Sequence, residues 1–132
     1  MVHGMEAGIV HLDTHVVVWL YSGLLDLIPP RVAIAINHNL LRVSPIVALE
    51  IQCLFETGRI KIPADTILED LDLRIGLRMD RLSFTRVVRQ SLLEKWTRDP
   101  FDRLIVSQAR IRHVPLLTRD RTIRKYYKNA RW

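Results

Sequence analysis

The chain is short of several things, and each shortage excludes a class. Cys53 is the only cysteine in 132 residues. No intrachain disulfide can form, and a cysteine-based zinc cage is excluded. Such thiol usage fits a reducing, cytoplasmic setting. Five glycines and six prolines are too few for a long disordered region. No glycine-rich phosphate loop is present, which argues against a P-loop nucleotidase. Apolar runs such as Val16-Val17-Val18-Trp19-Leu20 fall far short of the roughly 20 residues that span a bilayer, so no membrane partner is expected. Met1 to Gly8 shows no basic patch followed by an apolar run, the pattern of a secretory signal. Met5 offers an alternative start, and nothing before Ile9 looks essential to the fold.

Other chemistries lack their residues. His3, His11, His15, His38 and His113 show no metal-ligand spacing such as His-x-x-x-His. His15 follows Asp13 closely and could approach a substrate, but packing is its first reading. Ser44 lacks a nucleophile elbow. Asp13-Thr14-His15 lacks the Asp-x-Asp of haloacid-dehalogenase-like phosphatases. Trp19, Trp96 and Trp132 are scattered, as packing residues are, and do not suggest a base-stacking platform.

What is present suits one globular domain over residues 1–132. The hydrophobic fraction is 48% and the charged fraction 26%, ordinary for a folded soluble chain. The net charge of +6 is unevenly placed. Residues 1–94 carry 9 basic and 11 acidic side chains; residues 95–132 carry 11 and 3. A basic segment of that kind suits a polyanion or a solubilising face about equally.

Apolar runs alternate with helical patterns. Gly8 to Leu12 reads as a buried strand ending at Asp13, and Thr14 to Tyr21 as a helix stopped by Ser22-Gly23. Arg31 to His38 can be helical, and Leu40 to Val43 reads as a second strand. Ser44-Pro45 predicts a cap and a helix to about Thr57. Further helices are expected over 64–76 and 83–95, with Thr66 and Ser83 as caps. A short strand is expected near 77–82 or 60–62. Asp99-Pro100 opens a helix to about Ile111. His113 to Thr118 reads as a strand, Thr122 to Tyr127 as a short basic helix and Ala130 to Trp132 as an edge strand. The alternation implies an α/β fold with a parallel sheet covered on both faces. Functional groups then gather beyond the strands' carboxyl ends, where Asp13 and Asp120 fall.

Two acids sit on apolar helical faces. The same-face neighbours of Glu50 are Ile46, Val47, Cys53 and Leu54. Burying an unpaired carboxylate there shifts its pKa or costs several kcal/mol. Glu56, beside Gln52 and Arg59, reads as an ordinary surface acid. Asp102 lies in an arc with Ile105, Val106 and Ala109, while Arg103, Ser107 and Arg110 lie opposite. Asp99 is either a helix cap or a further acid of the site. Glu50 could instead be neutralised by a buried arginine. If the acids converge, mutual repulsion raises their pKa values and a divalent cation relieves it. Oxygen-only ligands suit Mg²⁺ or Mn²⁺, which can activate water against a phosphodiester.

Three blocks carry a resemblance. They are Leu12-Asp13-Thr14-His15-Val16-Val17-Val18-Trp19-Leu20, Val43-Ser44-Pro45-Ile46-Val47-Ala48-Leu49-Glu50-Ile51, and 98–109 with its Asp99-Pro100-Phe101-Asp102 core, followed by Pro115-Leu116-Leu117-Thr118-Arg119-Asp120. In their order and spacing the chain resembles PIN-domain ribonucleases, specifically the VapC-type toxins of toxin–antitoxin pairs. The match spans the chain, with 60–95 following only in outline. The resemblance implies a three-layer α/β/α domain with a central, mostly parallel sheet of four or five strands. It matches the family's four acids to Asp13, Glu50, Asp102 and Asp120, with Asp99 as a frequent fifth. Thr14, Ser44 and Thr118 match hydroxyl positions beside the site. It further implies Mg²⁺ or Mn²⁺, endonucleolytic cleavage of RNA, a homodimer and a small antitoxin that blocks the site. One departure is Trp96-Thr97, where relatives often carry a histidine. Arg98, Arg103, Arg119, Arg121, Arg124 and Lys125 are the expected phosphate contacts. The alternative is a catalytically silent PIN-fold module that binds RNA or protein, though such a module has little reason to keep Glu50 and Asp102 on apolar faces.

Overall fold

The structure, a computed structural model, describes residues 8–132; the expectations for Met5 and the first seven residues lie outside that range. Strand β1 (Ile9–Leu12) is followed by helix α1 (Thr14–Ser22), a 3₁₀ turn at Leu25–Leu27 and α2 (Pro30–His38). Next come β2 (Leu40–Val43), α3 (Ile46–Glu56), α4 (Ala64–Ile75), β3 (Arg78–Met79) and α5 (Phe84–Ser91). The chain ends with α6 (Pro100–Arg112), β4 (Leu116–Leu117), α7 (Arg121–Tyr126) and β5 (Ala130–Arg131). All five strands are parallel, in the order β3-β2-β1-β4-β5. Helices cover both faces, as the three-layer expectation required.

The sheet is held by side chains that read as apolar runs in the sequence. Val10, Leu12, Leu41, Val43, Leu116 and Leu117 are buried in its strands. Val16, Val17, Val47, Ile51, Ile105 and Val106 cover it from α1, α3 and α6. The valines of α1 are weak helix formers on their own. Burial of Val16 and Val17, the Asp13 cap and a left-handed Gly23 at φ 71° hold that helix in place.

Several boundaries differ from the sequence reading. The α4 helix starts behind Pro63, and Thr66 lies inside it. Its first amide is capped from outside instead, donating to Gln52 Oε1 of α3 at 3.1 Å. Ser83 does cap α5, but that helix stops at Ser91. The turn that follows carries Glu94 inward to Arg110. The short strand is at 78–79, not 60–62, and β4 keeps only two residues of the longer run expected. Ser107, placed opposite the core by helical period alone, is buried because α5 packs along α6.

Candidate active site

From β1 the chain crosses to β2 and β3 on one side, while β4 and β5 lie on the other. The β1/β4 boundary is therefore the switch point of the sheet, where the carboxyl ends of parallel strands leave a crevice. Asp13 follows β1 there, and Thr118 to Asp120 follow β4.

The residues around Asp13 are tied together. Its Oδ1 accepts the Thr14 amide at 2.8 Å and caps α1. Its Oδ2 accepts the Thr118 hydroxyl at 2.6 Å. The same Thr118 oxygen accepts the Asp120 amide at 3.0 Å, so one buried hydroxyl links two acids. Asp120 Oδ1 accepts the amides of Thr122 and Ile123 at 2.8 and 3.0 Å and caps α7. Glu50, half-buried on α3, accepts the Thr14 hydroxyl through Oε1 at 2.5 Å. A neutral hydroxyl, not an arginine, is its partner. Asp99 Oδ1 caps α6 from the amides of Phe101 and Asp102 at 2.8 and 3.3 Å.

Asp102 differs from these four. It is partly buried in the first turn of α6, and among the described residues no side chain or amide donates to its carboxylate. Burial, followed by the charges of Asp99, Asp13, Asp120 and Glu50, pushes Asp102 up to about 7. Glu50 is also raised, first by burial; the Thr14 hydroxyl offsets part of this, and Asp13 and Asp99 add to it. The acids are thus brought within electrostatic reach of one another.

Carboxylate chemistry fits a hard divalent cation here. The donors are oxygens only, which suits Mg²⁺ or Mn²⁺. Asp102 is unpaired, and the caps at Asp99 and Asp120 engage Oδ1 alone, leaving each Oδ2 without a donor among the described residues. Among the described residues, no three Asp, Glu, His or Cys side chains stand close enough together to hold a metal ion between them.

His15 borders the same place. Its Nε2 accepts the Arg119 amide at 3.0 Å, so the proton sits on Nδ1, 3.5 Å from Asp13 Oδ2. Burial lowers its pKa, against the pull of Asp13 and Asp120 and with a push from Arg119.

The basic residues are placed unevenly. Arg98, Arg119, Arg121 and Lys125 are exposed. Arg124 donates to the Arg119 carbonyl at 3.2 Å. Arg103 is turned inward, donating to Thr97 O at 2.8 Å, where it braces the loop before α6. Ser44 is buried and its hydroxyl accepts the Ile46 amide at 3.4 Å, but α3 starts one residue later than expected, so Pro45 and not Ser44 stands at its N-cap. Trp96 donates to Glu94 and stacks on Tyr126.

Two buried acids give no signal in the sequence. Asp80 accepts His11 Nε2 at 2.9 Å and a bidentate Arg112. Glu94 accepts Arg110, Trp96 and Gln90. In each, burial pushes the carboxyl up, but the donors outweigh it and hold the group below its usual range. Their roles are structural. The tryptophans are also less scattered than their sequence positions suggest. Trp19 and Trp132, far apart in sequence, meet with ring centroids 5.8 Å apart, and His15 stands 4.9 Å from Trp19.

A doubly wound parallel sheet with acids gathered at its switch point defines the class: an α/β domain whose crevice is lined by carboxylates. Residues 10–129 match the sequence model of the PIN domain, and the chain belongs to the PIN-domain family. No curated protein sequence matches it. In fold it is similar to a chain of VapBC2 from Rickettsia felis, solved bound to a DNA fragment from their promoter. The TM-score is 0.65 at 21% identity, covering 92% of this chain and 95% of that one. It is also similar to a chain of a toxin–antitoxin complex from Klebsiella pneumoniae, with a TM-score of 0.59 at 14% identity over 93% and 96% of the two chains. Among the described residues, no helix is long and apolar enough to cross a membrane.

Proposed function

We propose that this chain is a Mg²⁺- or Mn²⁺-dependent endoribonuclease and the toxin of a toxin–antitoxin pair. One observation carries the proposal: an unpaired carboxyl, Asp102, held up to about 7 amid four other acids at the sheet's switch point. A resting structural acid is paired; one left unpaired among like charges is suited to a cation. Asp13, Glu50, Asp102 and Asp120 would hold the metal, with Asp99 as a fifth acid. When bound, the cation supplies an acidified water and neutralises charge on the scissile phosphate.

The chain's own groups prepare that chemistry. Thr118 fixes Asp13 Oδ2 and the Asp120 amide, so both acids keep one orientation. Thr14 does the same for Glu50. Exposed Arg98, Arg119, Arg121 and Lys125 can hold the RNA backbone. Phe84, Leu92 and Leu93 are large apolar side chains left in solvent at α5, as are Leu24, Leu25 and Leu27 beyond α1. Such surface supports protein partners, here a small antitoxin and a second copy. Residues 1–132 act as one domain in the cytoplasm.

The deciding experiment is cleavage of a broad RNA panel by purified, antitoxin-free protein. Cutting is expected in Mg²⁺ or Mn²⁺ and is expected to stop with EDTA or Asp13→Asn. RNA left uncut in both metals refutes the nuclease reading. An adjacent reading frame for a small DNA-binding protein would support the toxin role; a solitary gene would favour a nuclease without an antitoxin.

A further inference from the structure

Beside Asp120 lies an open hollow of about 660 Å³. One wall is aromatic: His15, Trp19 and Trp132. The rest of the lining is charged: Arg119, Arg121 and Arg124, with the Asp120 carboxylate among them. The three rings meet edge to face or tilted, at interplanar angles of 57–67°. Each edge-to-face contact covers one face of one ring only, and all three side chains stay partly exposed. The wall is anchored on both sides. Arg31 Nε donates to the Trp132 carbonyl at 2.7 Å, and His15 is pinned by the Arg119 amide. Trp19 and Trp132 also pack on the core, and Arg119, Arg121 and Arg124 add positive charge beside their exposed parts. Aromatic and guanidinium planes set together around one hollow are what an unstacked nucleobase and its phosphate need.

We propose that this hollow is a nucleobase pocket, taking the base next to the scissile phosphate. It rests on the nuclease reading above. The base stacks on Trp19 and Trp132, and the exposed Arg121 meets a flanking phosphate. His15 sets the distance. It lies 3.5 Å from Asp13 Oδ2 on one side and against Trp19 on the other, so the pocket adjoins the carboxylates within one nucleotide. The pocket thereby selects which bond the acids reach, and Trp132 is a specificity-determining residue.

The test uses the full chain and an RNA oligonucleotide containing a bond that the wild-type protein cuts. Each base around the cut is replaced in turn by an abasic site. At one position the replacement is expected to raise KM about tenfold or more, the worth of one stacked base. Trp132→Ala is expected to raise KM on intact RNA by a similar factor and to become indifferent to the abasic site at that position. Trp132→Phe, which keeps a ring, is expected to retain most of the affinity and the sensitivity. A purely structural role for Trp132 would leave every abasic replacement as harmful in the variant as in the wild type, and that result overturns the pocket. So would an unchanged KM in Trp132→Ala, including the case where only binding of a partner protein is lost. A second readout needs no catalysis: the same oligonucleotide, without metal, is expected to quench tryptophan fluorescence, and its abasic version to quench less. Quenching without any cleavage in metal would sink the nuclease and keep the pocket; cleavage without coupling to Trp132 would do the reverse.

Discussion

Replacing Asp102 by asparagine is expected to stabilise the metal-free protein, although it removes a residue of the proposed site. Asp102 titrates at about 7 in the folded chain, against about 3.9 for an unfolded aspartate. For an acid raised on folding, the native state holds the proton more tightly. Stability from this group is therefore fully present below about pH 4 and is lost as pH rises to about 7. Above that, ionised Asp102 works against the fold. A rise of about three pH steps corresponds to about 4 kcal/mol. The carboxyl is only partly buried, so screening reduces this, and we expect about 2 kcal/mol at pH 8. The asparagine side chain keeps the shape without the charge. At this chain length the gain corresponds to a Tm rise of about 8 °C.

The assay is thermal unfolding of wild type and Asp102→Asn in EDTA, from pH 5 to 8.5. The difference between them isolates Asp102, because His11, Asp80 and Glu94 titrate equally in both. The variant's advantage is expected to be small at pH 5 and to grow toward pH 8. Adding Mn²⁺ at pH 8 is then expected to raise the Tm of the wild type and much less that of the variant. A variant less stable than wild type at pH 8 in EDTA, or an advantage that does not grow with pH, refutes the crowding of charge on which the site rests.

Asp80→Ala is expected to lose about 3 kcal/mol in urea unfolding. It leaves buried His11, whose Nδ1 already lacks a partner among the described residues, with neither ring nitrogen satisfied by them. The same pairs make the fold acid-sensitive. His11, lowered mainly by burial, opposes folding as pH falls below about 6.5, and stability from Asp80 and Glu94, both held low, disappears as pH falls from about 4 through their folded values; in the Glu50→Gln/Asp102→Asn double variant, which lacks the two raised acids whose protonation acts the other way, a urea midpoint that does not fall from about pH 7 to about pH 3 contradicts this. Thr118→Val, which frees Asp13 Oδ2 and orphans the Asp120 amide, is expected to weaken Mn²⁺ binding about 10- to 100-fold by calorimetry. RNA cleavage is expected to weaken steeply between about 50 and 200 mM salt through KM, and a salt-independent KM would remove the arginines from the substrate path.

Glu50 and Asp102 were legible because a helical period is a local signal: three or four residues either way decide what a side chain faces. Asp13 and Asp120 were legible because a strand's end is also local, and the blocks around them resemble a family. What stayed hidden depends on pairs distant in the chain. Asp80 meets His11 and Arg112, and Trp19 meets Trp132, with nothing beside any of them in the sequence to announce it. Period misled at Ser107, because it reports which side of α6 is apolar and not that α5 covers the other side. Cap signals held at Asp99 and Ser83, where the cap is local. They failed at Thr66, where a side chain from α3 caps the helix instead.

Of the two roles posed for Asp99, the structure shows the helix cap, and the proposed role as an acid of the site would fall to its second oxygen. Asp13, Asp99 and Asp120 cap α1, α6 and α7, so three helix starts are gathered around one crevice. The partial positive charge at a helix start favours a carboxylate, so these caps make a crowd of acids tolerable before any cation arrives. Among the described residues, Asp99 and Asp120 cap through Oδ1 and leave Oδ2 without a donor, so in the proposed site capping and metal binding would use different oxygens. Glu50 and Asp102 cap nothing. Burial pushes both up, and Asp102 has no donor of its own among the described residues. The fold satisfies most of the acids with its own amides and hydroxyls and leaves one unsatisfied. That residue is where a cation would gain most, and where its removal should be felt first.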